Sequence, residues 1–233
     1  MNWRTHPWTI RARSIGRQLG VNGWIGALRG AHTYEDRFQR SMFDVLRPGD
    51  CVWDVGANLG LYSAAFAERV GEAGHVLAFE PSPTNLAGLR SKVSGLRNVT
   101  VLPMALGAET GSASFQQGAD PLGATSRIIE GGQSGAVQVP VARGAELVKA
   151  GTALAPNVIK IDTEGFELEV LLGLGELLRE PTLRALCIEV HFGLLAERGL
   201  SHAPAQIEQA LGASGFAVSW PDASHIVAER RSA

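Results

Sequence analysis

From residue 51 onward, short apolar runs alternate with stretches whose apolar residues recur every three or four positions. That is the pattern of parallel strands joined by helices. The first run, Cys51 to Val55 (CVWDV), leads through a glycine-containing turn into Leu61 to Val70, where Leu61, Ala64, Ala65 and Ala67 or Glu68 follow helical spacing. His75 to Glu80 (HVLAFE) predicts a second strand, and Pro83 to Ser94 a second helix with Leu86, Leu89, Arg90 and Val93 on one face. Val99 to Leu102, Asn157 to Ile161 and Leu183 to Val190 predict three further strands, the last two separated by a helical stretch from Gly165 to Arg179 that Pro181 closes. The remainder predicts a helix from Pro204 to Ala213 and a hairpin of Phe216 to Trp220 with Ser224 to Glu229 around Pro221 and Asp222. The expected fold is α/β: a doubly wound, mostly parallel, Rossmann-like sheet with a C-terminal antiparallel hairpin and a reversed edge strand. Gln116 to Gln138, rich in Gly and Ser, reads as a long polar loop.

At 233 residues with 45% hydrophobic and 19% charged, the chain can bury a full core without disulfide or metal staples. Disorder and fibre are excluded. Overall charge is −2, which gives no electrostatic footprint for nucleic acid. The basic residues are concentrated at the start: Met1 to Arg47 holds eight Arg, no Lys and three acids, with Trp3, Trp8 and Trp24. We read residues 1–47 as a basic helical cap and 48–233 as the main domain. Cys51 and Cys187 lie singly in apolar runs and read as buried thiols. No stretch has the length of a membrane span, so a cytoplasmic protein is expected, with a homo-oligomer left open.

In an open α/β sheet, ligands bind outside the carboxyl ends of the strands near the switch point. The residues there are Asp54-Val-Gly-Ala-Asn-Leu-Gly60. Gly56 and Gly60 permit a tight turn, and the following helix N-terminus offers free N–H groups. The dinucleotide fingerprint fails, because Asn58 replaces its middle glycine. Asp54 would repel a diphosphate and attract a cationic amino group or a sulfonium, which points to S-adenosylmethionine. Glu80, twenty residues after Gly60, can accept hydrogen bonds from both ribose hydroxyls.

The chain resembles the FkbM-type methyltransferases from about Arg47 to Arg230, in VWDVGANLGLYS (52–63), AFEPSPTN (78–85), NVTVLPMALG (98–107), VIKIDTEGFELEVLLG (158–173) and CIEVH (187–191). The resemblance implies a class I methyltransferase fold, S-adenosylmethionine as donor, and a donor pocket that also takes in Ala57, Pro81 and Ala105. It also implies an oxygen acceptor on a sugar, polyketide or other small metabolite. Arg143-Gly-Ala145 departs from the Thr-Leu-Asp triplet common in the family, so an acid is missing on the acceptor side.

Lys160, Asp162 and Glu164 alternate at the end of the fourth strand, so the first two share a face. Asp162 is a candidate to bind the methionine amino group or orient the acceptor, with a buried Lys160–carboxylate pair as the structural alternative. Glu189 and His191, two apart at the end of the fifth strand, face the same mouth. An imidazole there can take a proton from a hydroxyl while a carboxylate fixes its tautomer. The expected catalytic set is thus His191, Asp162, Glu164 and Glu189. The other five histidines, His225 included, show no comparable acidic context at a strand mouth. The expectation is a site without metal, with a divalent cation on Asp162, Glu189 and His191 as the alternative. A nicotinamide oxidoreductase and a non-catalytic binding module stand as rival functions. Asn58 and Asp54 disfavour the first, and the intact turn with Glu80 and Asp162 the second.

Overall fold

A computed structural model describes residues 32–116, 127–129 and 136–231. Most of the basic lead, residues 1–31, and the centre of the glycine-rich insertion lie outside the described residues. The chain runs through α1 (His32–Asp44), β1 (Cys51–Val55), α2 (Leu61–Val70), β2 (His75–Phe79), α3 (Pro83–Val93) and β3 (Val99–Leu102). Next come β4 (Ala105–Leu106), β5 (Gly111–Gln116), β6 (Arg127–Ile129), β7 (Val137–Ala142), α4 (Gly144–Lys149) and β8 (Val158–Ile161). The chain closes with α5 (Glu167–Leu174), a 3-10 turn (Gly175–Arg179), β9 (Ala185–Glu189), α6 (Phe192–Glu197), α7 (Ala203–Ala213), β10 (Phe216–Ser219) and β11 (His225–Arg230). No helix among the described residues is long and apolar enough to cross a membrane.

The main sheet has the order β10-β11-β9-β8-β1-β2-β3. Strands β3, β2, β1, β8 and β9 pair in parallel, and β11 is antiparallel to both β9 and β10. The expected sheet and terminal hairpin are present, with one correction. The reversed strand β11 is not the edge but is inserted between β9 and β10. Its Ile226, Val227 and Ala228 are buried, which an edge position would not give them.

Alternation along the strands divides the core. Trp53, Val55, Ile159, Ile161, Leu186 and Ile188 face Leu168, Leu171 and Leu174 of α5. Val52, Val158, Cys187 and Val227 face Phe66 and Val70 of α2 and Phe38, Met42 and Leu46 in and after α1. Successive side chains of a strand point to opposite faces, so the sheet is covered on both sides and its strands read as continuous apolar runs. Burial pushes the Cys51 thiol up to about 11 and Cys187 up to about 12, so both stay un-ionised. Arg184 clamps the entry to β1, giving Nη2 to both oxygens of Asp50 (2.7 and 2.5 Å) and Nη1 to the carbonyl of Val45 (3.2 Å).

A second, four-stranded sheet of order β4-β7-β5-β6 corrects the reading of Gln116 to Gln138 as loop throughout, because β6 and the start of β7 fall inside that range. Its strands are short and mostly half-buried (GSASFQ, RII, VQVPVA), so they lack the apolar run that marked the main strands.

Candidate active site

All the functional candidates except Ala105 gather at the carboxyl ends of β1, β2, β8 and β9. The turn after β1 is held by two bonds to β2, since the N–H groups of Gly56 and Ala57 both donate to the carbonyl of Phe79 (3.0 Å each). Gly56 has φ +79, and a Cβ there would lie 1.8 Å from the carbonyl oxygen of Asp162. That approach brings the turn against the end of β8. Asn58 also has positive φ (51), a conformation Asn tolerates better than most residues. Its N–H is tied by Glu80, whose Oε2 accepts it at 2.7 Å while Oε1 accepts the N–H of Ser82 (2.8 Å) and the amide of Asn85 (3.5 Å). Burial pushes the Glu80 carboxyl up to about 7 against the pull of those donors. Pro81 separates Glu80 from Ser82, the cap of α3. Ala105 lies in β4, pairs with Val141 of the small sheet and is buried.

Asp54 is fully buried, opposite Lys160 in the β1–β8 register, with Lys160 Nζ 3.1 Å from its Oδ1 and the Ser63 hydroxyl donating to Oδ2 at 2.6 Å. Its charge is paired inside the sheet. Lys160 also donates to the carbonyl of Gly56 (2.9 Å) and lies 3.6 Å from Asp162. Burial alone would lower this ammonium's pKa, but Asp54 and Asp162 outweigh it and hold the pKa above its ordinary value. The structural alternative weighed for Lys160 is therefore present.

The acceptor side forms one cluster. His191, with a side chain 1% exposed, has Nδ1 2.8 Å from Glu167 Oε1. Its Nε2 lies 3.4 Å from Glu164, 3.7 Å from Asp162 and 3.7 Å from Glu189. Burial would lower the imidazole pKa, yet Glu167 and Glu164 hold it well above its ordinary value. The surrounding carboxylates thus favour the protonated ring, against the pull of burial. Burial also raises the pKa of Asp162, helped by Glu189 and Glu164 and opposed by Lys160 and His191.

Two residues escaped the sequence reading. Glu167, fully buried, fixes the His191 ring and accepts the N–H of Gly165 (2.9 Å), but among Glu164, Glu167 and Glu169 nothing in the sequence marks it out. His225 was set aside for want of acidic neighbours, whereas it has Asp222 at 2.8 Å and the second oxygen of Glu189 at 3.5 Å. Its partner Asp222, three positions back, was the available signal. Burial lowers its pKa, but Asp222 and Glu189 outweigh that and raise it to about 9.

A Rossmann-like sheet with a Gly56–Gly60 turn, an acid closing β2 and a polar cluster beside them defines the class I methyltransferases. A Clostridium thermocellum protein assigned as an rRNA methylase superposes with a TM-score of 0.53 at 12% identity, covering 85% of this chain and 96% of that one. The family model for the methyltransferase FkbM domain matches residues 54–218, and the chain belongs to that family, whose methyl donor is S-adenosylmethionine. The hexuronic acid methyltransferase AglP of Haloferax volcanii is 30% identical over 157 residues, 66% of this chain and 62% of that protein. The 31-O-demethyl-FK506 methyltransferase FkbM of Streptomyces tacrolimicus is 28% identical over 179 residues, 63% of this chain and 67% of that one. The match thus spans less than two-thirds of the Haloferax protein.

The residues fit the donor. The buried side-chain oxygen of Asn58 has no hydrogen-bond partner among the described residues, and Gly56 lets the turn close against the carbonyl of Asp162. Oε2 of Glu80 keeps a lone pair beyond the Asn58 N–H it accepts, and the long 3.5 Å bond from Asn85 to Oε1 can give way, so the carboxylate can take a ribose diol.

Proposed function

We propose that the protein is an S-adenosylmethionine-dependent O-methyltransferase acting on a hydroxyl of a sugar or other small hydroxylated metabolite. The observation that carries this reading is the cluster of Asp162, Glu164, Glu189 and His191 directly beside the Gly56–Gly60 turn. The donor supplies an activated methyl on a sulfonium. The chain's own residues then have two tasks, alignment of the acceptor and removal of its proton. Glu80 and the turn hold the adenosine end. The His191 imidazole, or a carboxylate of Asp162, Glu164 or Glu189 partnered by it, takes the acceptor's proton. Glu167 holds the ring with Nε2 facing the acceptor. The relatives that act on a hexuronic acid and on an FK506 precursor favour acceptors rich in oxygen.

The test is incubation with isotope-labelled S-adenosylmethionine and a panel of hexuronic acids, glycosides and macrolactones, read by mass spectrometry. Methyl label on an acceptor oxygen is the expected result. His191→Ala should lower that turnover by about 10²–10⁴-fold and leave donor affinity nearly constant. Donor binding with label transferred only to nitrogen or to carbon would overturn the assignment.

A further inference from the structure

His191 Nε2 is surrounded by oxygens at 3.4, 3.7 and 3.7 Å. The Glu164 contact is a long, weak hydrogen bond at most, and the two at 3.7 Å are too long for N–H···O bonds, which close to about 2.7–3.2 Å. Such separations suit atoms that share a cation. With metal–ligand distances of about 2.1 Å, neighbouring ligands of an octahedral ion lie about 3.0 Å apart and opposed ones about 4.2 Å. One ligand atom each from Asp162, Glu164 and His191 all fall within 4.8 Å of one another. Drawing them onto one ion needs shifts of about half an ångström, within reach of the partly exposed Asp162 and Glu164 side chains.

Two independent features favour a cation there. The ring is buried and its Nδ1 is committed to a fully buried carboxylate, Glu167. That is the outer-sphere arrangement that fixes a metal-binding histidine with its other nitrogen presented. The ring also sits among four carboxylates, those of Asp162, Glu164, Glu167 and Glu189, with Lys160 3.6 Å from Asp162 and His225 3.5 Å from Glu189.

We infer that Asp162, Glu164 and His191 form a divalent-cation site at the acceptor mouth, for Mg²⁺ or Mn²⁺. Two carboxylates, one imidazole and no thiolate are a set for a hard ion. The ion takes the place of the Nε2 proton, and its remaining positions face the mouth. An acceptor with two adjacent oxygens, such as a vicinal diol or an α-hydroxy acid, would chelate it. This use of the ion rests on the methyl-transfer reading; the existence of the site does not.

The experiment is titration of the full chain with Mn²⁺ alone, followed by calorimetry and by electron paramagnetic resonance. One ion per chain is expected, with affinity in the micromolar to millimolar range. Glu164→Gln and His191→Gln should each weaken it by about tenfold or more, with S-adenosylmethionine affinity unchanged as the check on folding. Absence of a stoichiometric Mn²⁺ site in the wild-type chain, or Mn²⁺ affinity unchanged in both variants, would overturn the inference. The wild-type titration decides alone should the variants fail to fold. A metal-free result leaves the methyl-transfer assay standing, and a failed acceptor panel leaves the Mn²⁺ result standing.

Discussion

Replacing Lys160 by Met should destabilise the protein far more than a single lost ion pair at a surface. Asp54 is fully buried and Lys160 Nζ is its cationic partner at 3.1 Å. Truncation leaves a buried carboxylate with only the Ser63 hydroxyl, and breaking a buried pair from one side costs about 3–5 kcal/mol. The Ser63 bond at 2.6 Å places the expectation in the lower half, about 3–4 kcal/mol. Asp54→Asn should cost less, about 1–2 kcal/mol, because Lys160 keeps the Gly56 carbonyl and Asp162. The double variant removes both charges and should recover about 2 kcal/mol relative to the sum of the singles. Urea denaturation reads all three. At a slope near 2 kcal/mol per molar, the Lys160→Met midpoint should fall by about 1.5–2 M with the slope unchanged. A loss below about 1 kcal/mol, or singles that simply add, would refute the view that Asp54 is spent inside the sheet. S-adenosylmethionine affinity supplies the second arm: Asp54→Asn should leave it nearly unchanged, whereas an Asp54 acting on the donor's cationic groups would lose it.

Glu80→Ala should weaken donor binding by about 1–3 kcal/mol, measured by calorimetry. Donor affinity of the wild-type chain should fall as pH drops through about 7, because the protonated carboxyl accepts fewer hydroxyl hydrogens. The free protein behaves in the opposite sense: a carboxyl whose folded pKa is raised contributes stability that is full below its unfolded pKa and is lost as pH rises through about 7. Glu80→Gln should flatten both profiles. Arg184→Met should cost about 2–4 kcal/mol in chemical denaturation, since it leaves Asp50, 6% exposed, with only the Arg47 N–H and frees the Val45 carbonyl; a loss within about 0.5 kcal/mol, the surface-substitution range, would refute the clamp.

The main sheet was legible because its strands are buried on both faces, which turns each into an apolar run such as VIKI or ALCIE. The Gly56–Gly60 turn and Glu80 were legible because they follow from where strands end. The small sheet was not, since GSASFQ has a single buried residue, Phe115, and Pro140 sits inside β7. Within the site, local spacing found Asp162, Glu164, Glu189 and His191. It failed where partners come from distant elements: Lys160 meets Asp54 across two strands, and Glu167 meets His191 across 24 positions. The same holds for charge: Asp54 was read from its position at a strand end, and the lysine that pairs it is revealed only by the β1–β8 register.

The placement of β11 has a consequence for how the molecule is made. Its backbone bonds join β9 on one side and β10 on the other, and His225 at its start reaches Glu189 at the acceptor mouth. A chain emerging from the ribosome can assemble β1, β2, β3, β8 and β9 early, but β9 then presents an open row of unpaired backbone groups. That gap closes only when residues 225–230 arrive and slip between β9 and β10. Until then the nascent chain carries the unprotected strand edge that invites pairing with another chain. The contact of His225 with Glu189 beside His191 is therefore among the last to form.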